Sequence, residues 1–430
     1  MKSYFECSKE ELLKEKEALE KKYEEVKALG IKLDMSRGKP TGAQLDLSLP
    51  LLGAISPDDD LKSEAGTDCR NYGVLDGIPE AKKLMSDILE VSPDNVIICG
   101  NASLPIMYDM LCRSMIFGVC GNTPFVKQEK LKFLCPVPGY DRHFRITETL
   151  GIEMINIPMS EDGPDMDLVE KYVNNDPAVK GIWCVPKYSN PQGYTYSDET
   201  VRRFAALSPA APDFRIYWDN AYAVHHIYDE EENQDHLLNI FEALKETGKE
   251  NMAFEFSSTS KISFAGAGIA CVAASAENIA WIKKYLTVQT IGFDKINMLR
   301  HVRFFKNADG VTEHMKKHSA IMRPKFEAVC DTFEKGFDGL GIAEFTRPRG
   351  GYFISVDVLK GCAKAVVSKC KEAGVTLTGA GATYPYGIDP DDRNIRIAPS
   401  FPTKEEMAKA ADLFVLCVKL VCLDKILSEK

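Results

Sequence analysis

From about residue 94 the chain repeats one pattern: a short apolar run, a turn, then a stretch with helical spacing. NVIIC (95–99) precedes SLPIMYDMLCRSM (103–115), and KFLCPV (132–137) precedes YDRHFRITETLG (140–151). GIWCV (181–185) and RIYWD (215–219) each run into a polar turn. Strands that alternate with helices pair in parallel, with helices on both faces of the sheet. The expectation is an α/β fold whose large domain carries a mostly parallel, doubly wound sheet. Ligands of such sheets bind beyond the carboxyl ends of the strands. The residues that follow each apolar run are therefore where function is sought.

Outside that region the pattern changes. Residues 8–29 read as a polar helix, with Ser8 and Glu11 spaced as a capping box and Gly30 as the stop. The turn-rich segment IKLDMSRGKPTG follows. The last third carries a long helix (KHSAIMRPKFEAVCDTFEKG, 317–336), strands in RGGYFISVDV and NIRIAPS, and the final helix KEEMAKAADLFVLCVKLVCLDKIL. These read as a smaller α+β domain. The expected division is 1–50 as a helix and arm belonging to the small domain, 51–315 as the large domain, and 316–430 as the small one.

Composition narrows the class. With 45% apolar and 27% charged residues, the 430-residue chain has the make-up of a soluble globular protein. Its longest apolar runs fall short of the roughly 20 residues that span a bilayer. The charged start, MKSYFECSKEELLKEKE, has no apolar signal core. A net charge of −10 disfavours a phosphate backbone as partner. The 13 cysteines show no C-x-x-C spacing and several sit in apolar contexts, as in reduced cytosolic proteins. Neither they nor the seven histidines make zinc-ligand spacings. The expectation is a cytoplasmic protein with no metal, nucleic acid or membrane to bind.

The turns after the apolar runs carry a set of polar groups. GNASLPIM (100–107) puts small residues, Ala102 and Ser103 among them, where a helix begins, and helix N–H groups suit a phosphate. PGYDRH puts Tyr140 at a strand end, where an aromatic stacks on a ring or simply packs. PKYSNPQG holds Asn190 in a turn, and DNAYA holds Asp219 at a strand end, a common helix-capping place. Lys261 follows Ser258 and Ser260 in FSSTSKISFAGAG, with no other charge nearby in sequence. Arg396 lies on the apolar strand NIRIAPS and requires a carboxylate or phosphate partner. Each alone has an ordinary explanation. Together, in this order, they are what pyridoxal phosphate needs.

Over nearly its full length the chain resembles the fold-type-I aminotransferases that use pyridoxal phosphate. RNYGVLDGIPEAKKL resembles the family's Tyr-x-x-x-x-Gly-x-x-Glu block, SNPQG its Asn-Pro-x-Gly, DNAY its Asp-x-x-Tyr, and STSK its Ser-x-x-Lys. IRIAPSF, GGYF and SRGKP also have counterparts. The resemblance implies that Lys261 bonds covalently to the cofactor and acts as general acid and base. Asp219 would sit on the ring nitrogen, Asn190 and Tyr222 on the ring oxygen, and Tyr140 on the ring face. Ser258, Ser260, Ala102 and Ser103 would hold the phosphate, with Tyr72 reaching the cofactor of a neighbouring subunit in a homodimer with shared sites. Arg396 would bind the substrate α-carboxylate, and Gly38 would line that end.

The segments SRGKP, GNASL, AGAG and QTIGFDKINMLRH resemble the aspartate aminotransferase subgroup related to the effector domains of MocR-type regulators. That implies transfer of an amino group from an L-amino acid, aspartate, to a 2-oxo acid, 2-oxoglutarate. A second cation would then meet the side-chain carboxylate. Lys295, supplied by the partner subunit, is the first choice, with Arg300, Arg37 and Lys39 as others. A β-lyase of the same fold and a non-catalytic ligand sensor are the alternatives. In one respect the chain departs from the family: the arginine that meets the phosphate about eight residues after the lysine is missing from ISFAGAGIA. Arg70 is one cation that could replace it.

Overall fold

The protein's structure, a computed structural model, describes residues 2–430. Helix α1 (Lys9–Ala28) starts at the expected capping box: Ser8 Oγ accepts from the Glu11 N–H, and the Glu11 carboxylate accepts from the Ser8 N–H at 2.6 Å. Strand β1 (Leu33–Asp34) follows. The main sheet has eight strands: β2 (Val96–Ile98), β3 (Lys132–Val137), β4 (Glu153–Ser160), β5 (Gly163–Pro164), β6 (Val179–Cys184), β7 (Arg215–Asp219), β8 (Ala253–Ser258) and β9 (Ala270–Ala274). Their order across the sheet is β2-β9-β8-β7-β6-β3-β4-β5.

The centre is parallel: β4, β3, β6, β7 and β8 pair in one direction, and every residue of β6, β7 and β8 is buried. Strand β9 is antiparallel to both its neighbours. A parallel return needs a crossover of a dozen or more residues, usually a helix. The 259–269 connection contains no helix, so β9 turns back beside β8. That loop carries Lys261. Helix α2 (Ser103–Phe117) follows β2, and α3 (Asp141–Thr149) follows β3. Both begin at the strands' carboxyl edge.

Two helices lead out of the main sheet, α4 (Lys295–Phe305) and α5 (Ala308–Phe337). The second begins at Ala308 rather than Lys317, because the Asn307 side chain accepts from the Gly310 N–H and caps an extra stretch. Strands β10 (Ala343–Phe345) and β11 (Ile354–Val358) join β13 (Asn394–Ile397) in an antiparallel sheet. Strand β12 (Val375–Thr376) pairs in parallel with β1, Leu33 opposite Val375, which ties the N-terminal arm to this C-terminal layer. Leu12 and Tyr23 of α1 share one apolar core with Phe333 and Phe337 of α5 and Phe414 of α6 (Lys404–Glu429).

One buried acid stands out in the sheet. Glu255 on β8 is 3% exposed, and its Oε1 accepts from Asn220 Nδ2 at 3.0 Å. Burial pushes its carboxyl up to about 8. Between the usual carboxylate range and that value the folded protein keeps a proton that the unfolded chain releases. Stability therefore falls as pH rises through this window, by about 1.4 kcal/mol per pH unit at the steepest. Glu255→Gln retains the bond from Asn220 without the proton. Thermal unfolding followed from pH 5 to 8 should show a flatter melting temperature in the variant; an unchanged decline would assign it to other groups.

Candidate active site

A cavity of about 400 Å³ opens beyond the carboxyl ends of the parallel strands, in the size range of small-ligand pockets. It lies where the main sheet, the N-terminal arm and the C-terminal layer meet. The cavity brings together nine of the residues singled out from sequence: Arg37, Gly38, Ser103, Tyr140, Asn190, Asp219, Tyr222, Lys261 and Arg396. They come from segments more than 350 residues apart, and the strand ends and the arm deliver them to one place.

Asp219 ends β7 and is 3% exposed. Its Oδ2 is 2.9 Å from His143 Nε2, while its Oδ1 is buried with no partner. His143, on α3, is held by stacking on Trp183 at 4.5 Å with the planes 12° apart. Trp183 is fixed in turn by its Nε1–H donating to Thr147 Oγ1 at 2.7 Å. Neither His143 nor Trp183 was among the residues expected from sequence. The available signal was spacing: His143 sits one helical turn after Tyr140. A buried carboxylate oxygen without a donor is costly. The protonated nitrogen of a pyridine ring is a donor of the right charge for Asp219 Oδ1, and this unpartnered oxygen fits pyridoxal phosphate.

Lys261 Nζ lies 4.8 Å from the centre of the Tyr222 ring. Burial, and then the negative charge of Asp219, raise the Tyr222 hydroxyl above its ordinary range, so it stays protonated and able to donate. Burial pushes the Tyr140 hydroxyl up to about 12. Arg396 is nearly buried and lies 4.8 Å from the centre of the Phe353 ring. Its Nη1 donates to Asn190 Oδ1 at 3.2 Å, which leaves the Asn190 Nδ2 group to donate elsewhere. The second Nη1 partner is Asp141 Oδ1 at 2.9 Å, the carboxylate that an arginine on an apolar strand requires. Gly38 approaches Phe353 so closely that a Cβ at this position would lie 2.4 Å from the ring. Only glycine lets the arm close this end.

Ala102, Ser258 and Ser260 flank the cavity at the start of α2. Ser260 Oγ donates to the Asn101 carbonyl at 2.9 Å, and Ser258 Oγ is 3.1 Å from Ser260 Oγ. Ala102 has no side-chain oxygen with which to cap α2, so the first N–H groups of that 15-residue helix remain available to an anion. The missing arginine also has a spatial reason. Ile269, eight residues after Lys261, is 1% exposed, and its N–H donates to Thr259 Oγ1 at 2.9 Å. A Cβ on Gly268 would come within 3.1 Å of the Asn101 carbonyl and the Ser260 nitrogen. The backbone at Gly268 is pressed against Asn101 and Ser260, and the Ile269 side chain is packed in the core. Arg300 stands behind it: Nη2 donates to Asn297 Oδ1 at 2.6 Å, and Asn297 Nδ2 donates to the Ala267 and Gly268 carbonyls.

Other expected residues lie outside the cavity of their own chain. Tyr72 is 82% exposed, as a residue that reaches a neighbouring subunit would be, whereas Lys295 is buried with its Nζ donating to the Gly73 carbonyl at 2.9 Å, so its amine is not presented at the surface as the sequence led us to expect. Arg70 is engaged by Asp68 through Nε at 2.9 Å and Nη2 at 2.7 Å. Lys39 sits over the Phe401 ring at 3.9 Å. The cations that do line the cavity beside Arg396 and Lys261 are Arg37 and Arg142.

Comparison with known proteins agrees with this architecture. The model of the aspartate amino-transferase family matches residues 7–430. The chain is 46% identical over 405 residues to the aspartate aminotransferase of Corynebacterium glutamicum, covering 94% of this chain and 93% of that one. It is 44% identical over 430 residues to a putative aminotransferase of Mycolicibacterium smegmatis, covering 100% of both. The crystal structure of an aspartate transaminase from C. glutamicum superposes with a TM-score of 0.95 at 44% identity, over 99% of each chain. These matches take in every strand of the main sheet and both sides of the cavity, and the chain belongs to the aspartate amino-transferase family.

Proposed function

We propose that this aminotransferase uses pyridoxal 5′-phosphate to move the amino group of L-aspartate to 2-oxoglutarate. One observation carries the reading: Asp219, braced by His143 through one oxygen, keeps its other oxygen buried and unpartnered in the cavity that holds Lys261. Bound pyridoxal phosphate supplies an electron sink for the pair left when a proton leaves the substrate's Cα. The chain's residues do the rest. Asp219 holds the proton at the ring nitrogen, and Tyr222 and the Asn190 amide donate to the ring oxygen. Tyr140 covers the ring face. The Lys261 amine takes up the Cα proton as general base. Arg396 grips the α-carboxylate and so orients the Cα–H bond. The N–H groups at the start of α2, with Ser258 and Ser260, hold the phosphate.

A dicarboxylic substrate needs a cation for its second carboxylate. Arg37 and Arg142 are available within the cavity. In a homodimer whose sites are shared, the exposed Tyr72 would come from a second copy of the chain, while Lys295, buried and bound to the Gly73 carbonyl, would have to give up that bond to take part. In this reading residues 51–315 form the cofactor-binding domain, while 1–50 and 316–430 form the smaller one. Among the described residues no helix is long and apolar enough to cross a membrane. The thirteen cysteines are all free thiols, which suits a reducing cytoplasm. The test is a donor screen that follows the absorbance of the bound cofactor as each amino acid is added. Aspartate should convert it faster than alanine by on the order of 10²-fold or more, since a site built for a second carboxylate penalises a donor without one. No change with any amino acid would remove the reading, and equal rates for aspartate and alanine would remove the dicarboxylate part of it.

A further inference from the structure

Arg396 already holds a carboxylate. Both hydrogens of its Nη1 are engaged, by Asp141 Oδ1 at 2.9 Å and by Asn190 Oδ1 at 3.2 Å. Its Nη2 makes only a long contact to Thr378 Oγ1 at 3.4 Å, and its Nε is buried without a partner. The guanidinium side chain is 8% exposed and the Asp141 side chain 34%, and both line the cavity. Asp141 is not a stray surface charge. It is the first residue of α3, next to Tyr140 and two before His143, so the helix that braces Asp219 also fixes its place.

The chemistry of this contact is that of substrate binding. An aspartate side chain presents the same planar anion as the α-carboxylate of an amino acid. A two-point grip through the terminal nitrogens takes one hydrogen from Nη1 and one from Nη2. Nη1 has none to spare, so this grip requires a bond to be given up, and a side-on grip through the free Nε and Nη2 would set a second carboxylate on the guanidinium that Asp141 already holds. Exchange of one carboxylate for another leaves the arginine charge compensated throughout, whereas loss of a neutral amide contact would crowd two anions on one guanidinium. We propose that Asp141 is a specificity-determining residue: an internal counter-ion that occupies Arg396 until the substrate's α-carboxylate displaces it.

This inference rests on the reading of Arg396 as the α-carboxylate site. It explains how a nearly buried arginine stays ordered without substrate, since an unpaired buried charge is strongly unfavourable. It also gives the displaced group somewhere to go. Asp141 remains at the N-terminus of α3, where N–H groups and the helix dipole favour an anion, and Arg142 and Arg37 line the same cavity. Only ligands that carry a carboxylate make the exchange without stranding the arginine. An amine without one meets an ion pair that it cannot replace.

The test is Asp141→Asn, which keeps size and removes charge. Cofactor-loaded protein would be titrated calorimetrically with maleate, a dicarboxylate without an amino group. Maleate should bind about tenfold more tightly to the variant than to the parent, or about 1.4 kcal/mol. KM for the amino donor should fall in parallel, with kcat within about threefold; a fall in KM without a matching fall in kcat separates competition from general damage. Asp141→Glu should return the affinity toward that of the parent. Unchanged or weaker maleate binding to Asp141→Asn, in protein with parent-like cofactor absorbance, overturns the proposal and makes Asp141 a support for Arg396. Arg396→Ala should abolish maleate binding in both backgrounds. Binding that survives there would instead remove the underlying reading of Arg396, whatever Asp141→Asn does.

Discussion

Replacement of Lys261 by alanine is expected to lower turnover on the order of 10⁴-fold or more while the protein still takes up pyridoxal phosphate. On the proposed reading two functions would be lost at once, the covalent attachment and the general base, and a general base alone is worth roughly 10²–10⁴. The half-buried amine stands over the Tyr222 ring, 4.8 Å from its centre. No other amine lines the cavity among the described residues. Cofactor uptake should survive because the other contacts proposed for it come from different segments. Asp219 ends β7, Ser258 ends β8, and the N–H groups belong to the start of α2. The measurement pairs single-turnover kinetics with equilibrium dialysis of the cofactor. Turnover within tenfold of the parent would reject the assignment. Loss of both turnover and cofactor would show instead that the lysine bond is the main anchor.

Lys261 also shows what was legible in the sequence and what was not. The alternation of apolar runs with helical stretches reveals the sheet, because fully buried parallel strands are written as short continuous apolar runs. Groups that directly follow those runs, Tyr140, Asn190, Asp219 and Lys261, can be located by counting from strand ends. Their supports cannot. His143 meets Asp219 across 76 residues, and Asp141 meets Arg396 across 255. Both supporting residues look like ordinary members of an amphipathic helix, YDRHFRITET, in which polar residues normally face water. Chain order says nothing about which helix face a distant strand end will meet.

The glycine-rich stretch after Lys261 is a related case. Its lack of a cation is plain in sequence, but the reason is visible only in space. Ile269 is drawn into the core as β9 begins, and Gly268 is pressed on the Asn101 carbonyl. The reversal of β9 likewise follows from the shortness of the 259–269 connection, which a count of apolar residues does not register. The same reversal turns the Lys261 loop back toward the start of α2, beside the Asn101 carbonyl that Ser260 reaches. The departure from parallel pairing thus serves the site.

Asp219→Asn should reduce kcat by on the order of 10²–10³ at neutral pH, the scale of losing one well-placed electrostatic contact. The substitution is nearly isosteric, and an amide oxygen can still accept from His143 at the position of Oδ2. What it removes is the negative charge. A carboxylate within hydrogen-bonding distance favours the protonated form of a ring nitrogen, and a neutral amide does so far less. The proton that Asp219 is proposed to hold at the ring nitrogen would then have to be supplied by a higher proton concentration in solution. The residual activity should therefore rise as pH falls, a trend read directly from kcat across pH. His143→Asn provides the comparison. It leaves the charge in place but loosens a brace, so its loss should be smaller, roughly tenfold, and without the acid-side rise. If Asp219→Asn kept kcat within about threefold of the parent, the unpartnered Oδ1 would have to be explained by packing alone. A common loss for both variants with no pH trend would mean that the Asp219–His143 pair holds the shape of the cavity and does not control a proton.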